Sequence, residues 1–147
     1  MKQWMVLLLP MLLLTACGQT SSGEQDAVYQ NITASEARRI MDTEADYVIL
    51  DVRTQAEYDE GHIPGAVLIP DNEIEARAET ELPDKERMIL VYCRSGRRSK
   101  LAAEALVELG YTNIKEFGGI IDWPYELLGA HRIYIKDITL FIRTDMH

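Results

Sequence analysis

"MILVYCRSGRRSKLAAEALVELG", residues 88–110, is the stretch that decides the fold. Residues 88–92 form an apolar, β-rich run of the kind that suits a strand buried on both faces. Residues 99–110 space Leu101, Ala105, Leu106 and Leu109 along one side of a helix, and Gly110 suits the position just past its end. Between them lies a six-residue loop, 93–98, holding Cys93, Arg94, Ser95, Gly96, Arg97 and Arg98. A buried strand feeding a loop and then an amphipathic helix is half of a βαβ unit, the building block of parallel sheets.

The same alternation runs outward in both directions. "VYQNI", 28–32, reads as a short strand and "TASEARRIMD", 33–42, as a helix, with Thr33 and Glu36 at capping-box spacing. "YVILDV", 47–52, is a second buried-type strand that releases Asp51 and Arg53 into a polar segment. "GHIPGA", 61–66, is a turn-rich connection. "VLI", 67–69, is a brief strand, "DNEIEARAET", 71–80, a short helix, and "NIKEF", 113–117, another strand. "GGIIDWPYELL", 118–128, begins with a glycine turn and ends in a helix or turn, with Trp123 in the core. The pattern predicts an α/β fold: a central, mostly parallel sheet with helices on both faces. One domain is expected over 28–128, and the segment 129–147 forms an extension whose alternation suggests an added strand or hairpin.

The chain has 147 residues, 47% of them hydrophobic and 27% charged, which suits a globular domain. Its formal net charge of −9 argues against nucleic acid as a partner. The domain is expected to be a monomer. The N-terminus departs from the average. Lys2 precedes an apolar run, "WMVLLLPMLLL", 4–14, too short to span a bilayer comfortably and interrupted by Pro10. It reads as an export signal. The following "LTAC", 14–17, resembles the lipobox of bacterial lipoproteins, which implies a signal peptide over 1–16, lipidation of Cys17 and a membrane anchor outside the cytoplasm. Gly18 follows the cysteine, which leaves the choice of membrane open. "GQTSSGEQD", 18–26, reads as a flexible tether within 17–27.

There are only two cysteines. With lipid on Cys17, Cys93 has no partner and stands as a lone thiol among three arginines. A free cysteine has a pKa of about 8.5; loop amides, a helix N-terminus and cationic neighbours lower it to about 3.5–7.5. The strand end carrying Cys93 is where ligands bind in open parallel sheets. These features make a nucleophile at the base of an anion cradle. Loops of this kind serve sulfur transfer and phosphate-ester hydrolysis alike. Phosphatase-like loops place an arginine six residues after the cysteine, and here that position is Ser99.

Three segments in order resemble single-domain rhodanese-like sulfurtransferases: "YVILDVRTQAEYDEGHIPGA", 47–66; "VYCRSGRRS", 91–99; and "LGYTNIKEFGGIIDWP", 109–124. The resemblance implies a rhodanese-like fold and a persulfide mechanism. Cys93 takes sulfur from a donor such as thiosulfate and passes it to cyanide or a thiol, with no cofactor and no metal. Substrate contacts fall to Arg94, Ser95, Gly96, Arg97 and Arg98, supported by Asp51, Arg53 and Ser99. Asp51 either holds the Cys loop or belongs to a fold-stabilising ion pair, expected as Arg53 with Glu57. His62 is expected to shape its turn, and Ser99 to offer a hydroxyl or cap the helix. Two rival readings stay open: a phosphatase or arsenate reductase, and a non-catalytic module that binds a partner or carries sulfur.

Overall fold

The computed structural model describes residues 29–129. Five strands and four α-helices follow one another in this order: β1 Tyr29–Asn31, α1 Ala34–Thr43, β2 Tyr47–Asp51, α2 Gln55–Glu60, β3 Val67–Leu68, α3 Ile74–Glu81, β4 Met88–Cys93, α4 Arg97–Glu108 and β5 Ile114–Gly119. Single 3-10 turns at Asp71–Glu73 and Ile120–Asp122 lead into α3 and out of β5. The strands form one sheet in the order β1-β5-β4-β2-β3, with every pair parallel. The signal segment, the tether and the 130–147 part of the extension lie outside the described residues.

Side chains alternate across a strand, so each central strand feeds two cores. On one face Leu50, Val52, Ile89, Val91, Cys93 and Ile114 pack with Ala78 of α3 and Ala102, Ala103 and Leu106 of α4. On the other, Ile49, Leu90, Tyr92, Phe117 and Trp123 pack with Ala37 and Ile40 of α1. Burial of both faces explains why β2 and β4 read as continuous apolar runs. Trp123 is in the core as expected, 3% exposed.

The capping box of α1 is present: the Thr33 hydroxyl accepts from the Glu36 amide at 3.2 Å, and the Glu36 carboxylate accepts from the Thr33 amide at 2.7 Å. Two expectations need correction. Residues 55–60, in the segment read only as polar, form helix α2. Thr54 and Glu57 repeat the capping box there, so the Thr-x-x-Glu spacing was in the sequence to be read. Helix α4 begins at Arg97, not Ser99, and its buried residues are Ser99, Ala102, Ala103 and Leu106, while Leu101 is 49% exposed. The stripe packed on the sheet is therefore Ser99, Ala102, Ala103 and Leu106, which leaves Leu101 facing solvent.

Candidate active site

Cys93 ends β4 with its side chain on the α4 face of the sheet and is 1% exposed. The chain then turns sharply. Gly96 takes a left-handed backbone, φ +99°, and caps α4. A residue with a Cβ is strained there. Its amide donates to Cys93 Sγ at 3.1 Å. Arg97 and Arg98 therefore stand in the first helical turn, where backbone amides have no helical partner and favour negative charge.

β5 supplies the other wall. Val91 pairs with Glu116 but Cys93 pairs with Gly119, so β5 carries one extra residue across this step. Bulges of this kind re-aim the chain next to binding sites. Gly118 has φ +87°, and a Cβ on Gly119 would overlap the Arg94 carbonyl and Ser95. The Ile121 amide donates to that carbonyl at 3.3 Å, which turns it toward the 3-10 segment.

Burial by itself pushes the Cys93 thiol up. The Ser99 hydroxyl and the amides of Ser99, Gly96 and Ser95 outweigh it and hold the thiol below its ordinary value. Among the described residues the effect comes from the Ser99 hydroxyl, the loop amides and the start of α4.

The arginines are not equivalent. Arg98 reaches α2 and binds Glu57 through both guanidinium nitrogens, at 2.8 and 2.7 Å. The same carboxylate takes the Thr54 amide at 3.1 Å and the Thr54 hydroxyl at 2.9 Å. Arg98, read from the sequence as a substrate contact, is thus committed to tying the Cys93 loop to α2. Arg94 and Arg97 are exposed and join no ion pair among the described residues. Ser95 is exposed beside them.

Chiefly its pair with Arg98, and secondarily Thr54, hold the Glu57 carboxyl down to about 2 against partial burial. A carboxylate whose folded pKa is depressed stabilises the fold above its unfolded value, near 4.5, and loses that contribution as pH falls through about 2. Glu57→Gln is therefore expected to flatten the pH dependence of the urea midpoint between about 4.5 and 2 relative to the unaltered chain. Parallel profiles across that window would contradict the pairing.

Asp51 and Arg53 are placed differently from the sequence expectation. Both are buried, at 0% and 5% exposure, rather than in a polar segment. Asp51 does not hold the Cys93 loop, and the expected Arg53–Glu57 pair is replaced by Arg53–Asp51 and Arg98–Glu57. Asp51 accepts from Arg53 Nε at 2.9 Å and Nη2 at 2.6 Å, and from the Tyr92 hydroxyl at 2.5 Å. Tyr92 belongs to the α1-side core whereas Cys93, the next residue, faces α4. Asp51 therefore works on the opposite face from the thiol. Burial first, and then the Asp51 charge, push the Tyr92 phenol far up, so it stays protonated and donates. Arg53 also donates to the Gly61 carbonyl at 2.7 Å, which fixes the 61–66 turn. His62 shapes that turn as expected: its Nδ1 meets the Tyr58 carbonyl at 2.9 Å and its ring stacks on Tyr58.

Ser99 is not the cap of α4. Its hydroxyl lies 3.0 Å from the Gly96 carbonyl and 2.6 Å from Glu116 Oε1. Glu57 and Glu116 are the two residues near the Cys93 loop that sequence reasoning did not single out for the site. The signal for Glu57 was the capping-box spacing. For Glu116 it was an acidic residue inside the strand read over 113–117.

Comparisons with known proteins agree with this geometry. The family model for the rhodanese-like domain matches residues 33–124. Thiosulfate sulfurtransferase PspE of Escherichia coli is 42% identical over 73 residues, covering 50% of this chain and 70% of the relative. A sulfurtransferase of Allochromatium vinosum is 42% identical over 90 residues, covering 60% of this chain and 81% of the relative. Among solved structures, a rhodanese with anions from E. coli superposes with a TM-score of 0.54 at 37% identity, covering 56% of this chain and 98% of the other. The Alr3790 protein from Anabaena gives 0.58 at 31% identity, covering 63% and 83%. A buried thiol at the end of β4, an amide-lined turn around it and a family match across nearly the whole described region converge, and this chain belongs to the rhodanese-like domain family.

Proposed function

We propose that this protein is a sulfurtransferase in which Cys93 carries the sulfur. The observation that supports it most is the Gly96 amide on Cys93 Sγ, in a turn where the Ser99 hydroxyl and the loop amides hold the thiol down. The Cys93 thiolate attacks the outer sulfur of thiosulfate. The S–S bond of the donor breaks, sulfite leaves with the bonding pair, and a Cys93 persulfide anion remains. Cyanide or a thiolate then takes the outer sulfur, giving thiocyanate or a new persulfide and regenerating the thiolate. Two easier displacements replace one direct transfer. The loop amides face the negative charge that the outer sulfur carries, and Arg94 and Arg97 attract the dianionic donor. A sulfur only 1% exposed favours a donor whose terminal atom is small enough to enter the cradle.

A phosphate-ester reading is disfavoured by the position six residues after Cys93. Ser99 there is wholly buried and hydrogen-bonded to the carboxylate of Glu116. Residue 99 therefore offers no guanidinium to grip a phosphate.

The lipobox-like "LTAC" supports a further part of the reading: export, lipid attachment at Cys17 and a domain held at a bacterial membrane. Intact mass spectrometry tests the central claim. Reduced protein treated with thiosulfate is expected to gain about 32 Da, one sulfur atom, on the peptide containing Cys93. Absence of the adduct, together with turnover of an aryl phosphate, would move the assignment to phosphorus.

A further inference from the structure

The rim around the Cys93 loop carries charge and apolar surface that the transfer chemistry does not use in full. Arg94 and Arg97 are exposed there, and Lys100 stands exposed three residues further along α4. Among the described residues, Arg38, Arg53, Arg77, Lys85, Arg87 and Arg98 each hold a carboxylate, whereas Arg94, Arg97 and Lys100 join no ion pair. Residues three and four apart on a helix are surface neighbours, so Lys100 and Leu101 both adjoin Arg97. Leu101 is 49% exposed. Beyond the end of β5, the Ile121 amide donates to the Arg94 carbonyl at 3.3 Å, which seats Ile121 against the loop, 54% exposed. Leu101 and Ile121 are the two most exposed large apolar residues of the described chain, and both flank this loop. Glu104, one turn past Lys100, and Asp122, next after Ile121, are exposed and close the patch at its two ends.

We propose that this rim docks a protein acceptor: a short acidic segment with an apolar side chain, carrying the cysteine that receives the sulfur. This rests on the reading of Cys93 as the sulfur carrier. A cyanide ion or a small thiol is too small to span a rim that runs from Ile121 to Lys100. The charge balance selects the partner. With a formal net charge of −9, the chain as a whole repels an acidic protein and admits it where cations are uncompensated. The bordering acids Glu104 and Asp122 keep the matching segment short. A second copy of this chain would bring the same cations face to face. A bilayer pressed on this side would cover a sulfur already only 1% exposed, and it brings no thiol. The docked cysteine thiolate attacks the outer sulfur of the Cys93 persulfide. The persulfide S–S bond breaks, Cys93 leaves as the thiolate, and the partner keeps the sulfur as its own persulfide.

Fluorescence anisotropy of a labelled peptide reads docking without sulfur chemistry. The peptide sets Asp, Glu and Leu residues around a serine in the cysteine position, and its neutral counterpart has Asn and Gln for the acids. The full chain is expected to bind the acidic peptide about tenfold more tightly than the neutral one at low salt, the difference shrinking to about twofold near 0.5 M salt. Lys100→Gln/Leu101→Ser is expected to weaken acidic-peptide binding by about tenfold, while thiosulfate-to-cyanide turnover stays within about twofold. Both side chains are exposed, so the packing of α4 on the sheet is untouched. Equal affinity for the two peptides, or unchanged binding in the variant, would overturn the proposal. So would a turnover loss as large as the binding loss, which gives the rim to the small anion. Binding to phosphatidylglycerol vesicles that the variant loses would assign the face to a membrane, and self-association that the variant loses would assign it to a second copy; either overturns the proposal. Should the variant fail to fold, the two peptides and their salt dependence on the unaltered chain decide. The serine peptide needs no sulfur donor. Docking as expected beside a failure of thiosulfate loading would therefore sink the sulfurtransferase reading and spare the surface, and loading without a preference for the acidic peptide would do the reverse.

Discussion

Cys93→Ser is expected to abolish thiosulfate-to-cyanide transfer, lowering the rate by about a thousandfold or more, and to abolish the mass gain on thiosulfate treatment. The substitution is nearly isosteric, and an oxygen at that position can still accept from the Gly96 amide, so the cradle is retained. What is lost is the nucleophile. A serine hydroxyl stays protonated where the Ser99 hydroxyl and the loop amides draw the thiol below its ordinary value, and among the described residues the one histidine, His62, is held against Tyr58. Cys93 is the one free cysteine among the described residues, so no second thiol there can take over. The assay is thiocyanate formation at fixed thiosulfate and cyanide, with circular dichroism to verify the fold. A serine variant within tenfold of the parent rate would remove Cys93 from the chemistry.

The second large effect concerns stability and lies on the other face of the sheet. Asp51→Ala removes the acceptor for Arg53 Nε and Nη2 and for the Tyr92 hydroxyl. Arg53 keeps the Gly61 carbonyl, but its side chain is only 6% exposed and its charge then has no counterion. Breaking a buried pair from one side costs about 3–5 kcal/mol, because the remaining charge is stranded. Domains of this kind have about 5–15 kcal/mol in total, so the variant is expected to be marginal. At an m-value of roughly 2 kcal/mol/M, the urea midpoint falls by about 2 M. Asp51→Ala/Arg53→Ala removes the stranded charge and is expected to recover part of the loss. The contrast with a catalytic role is direct: folded Asp51→Ala in the cold should keep the alkylation profile of Cys93. A midpoint unchanged within about 0.3 M, or a displaced thiol pKa in the folded variant, would contradict this placement of Asp51.

These two outcomes separate what reads along the chain from what needs the sheet. The strand, the amide-rich loop and the amphipathic helix of 88–110 are local patterns. Each rests on spacings of one to four residues, and the structure keeps all three with small changes at their ends. The helix Gln55–Glu60 was equally local, and its capping box at Thr54 and Glu57 was legible but passed over because no apolar stripe accompanies it. The arginine partners were of another kind. "DVR" places Asp51 and Arg53 two residues apart, yet their turn back on one another depends on Tyr92 lying beside Asp51 in the β2–β4 register. Arg98 and Glu57 are 41 residues apart, and Ser99 and Glu116 are 17 apart.

By itself, then, the sequence determined the parallel α/β architecture, the strand end that presents Cys93 and the absence of an arginine at position 99. Those follow from periodicity and from residue identity. Only the tertiary structure decided which face each charge occupies: Asp51 and Arg53 toward α1, Glu116 and Ser99 toward α4, Arg98 across to α2. The reason is geometric. Side chains alternate with a period of two, so a shift of one residue in strand register sends a group to the other side of the sheet. Register is set by the packing of elements far apart in the chain, and with it the choice of which charges meet.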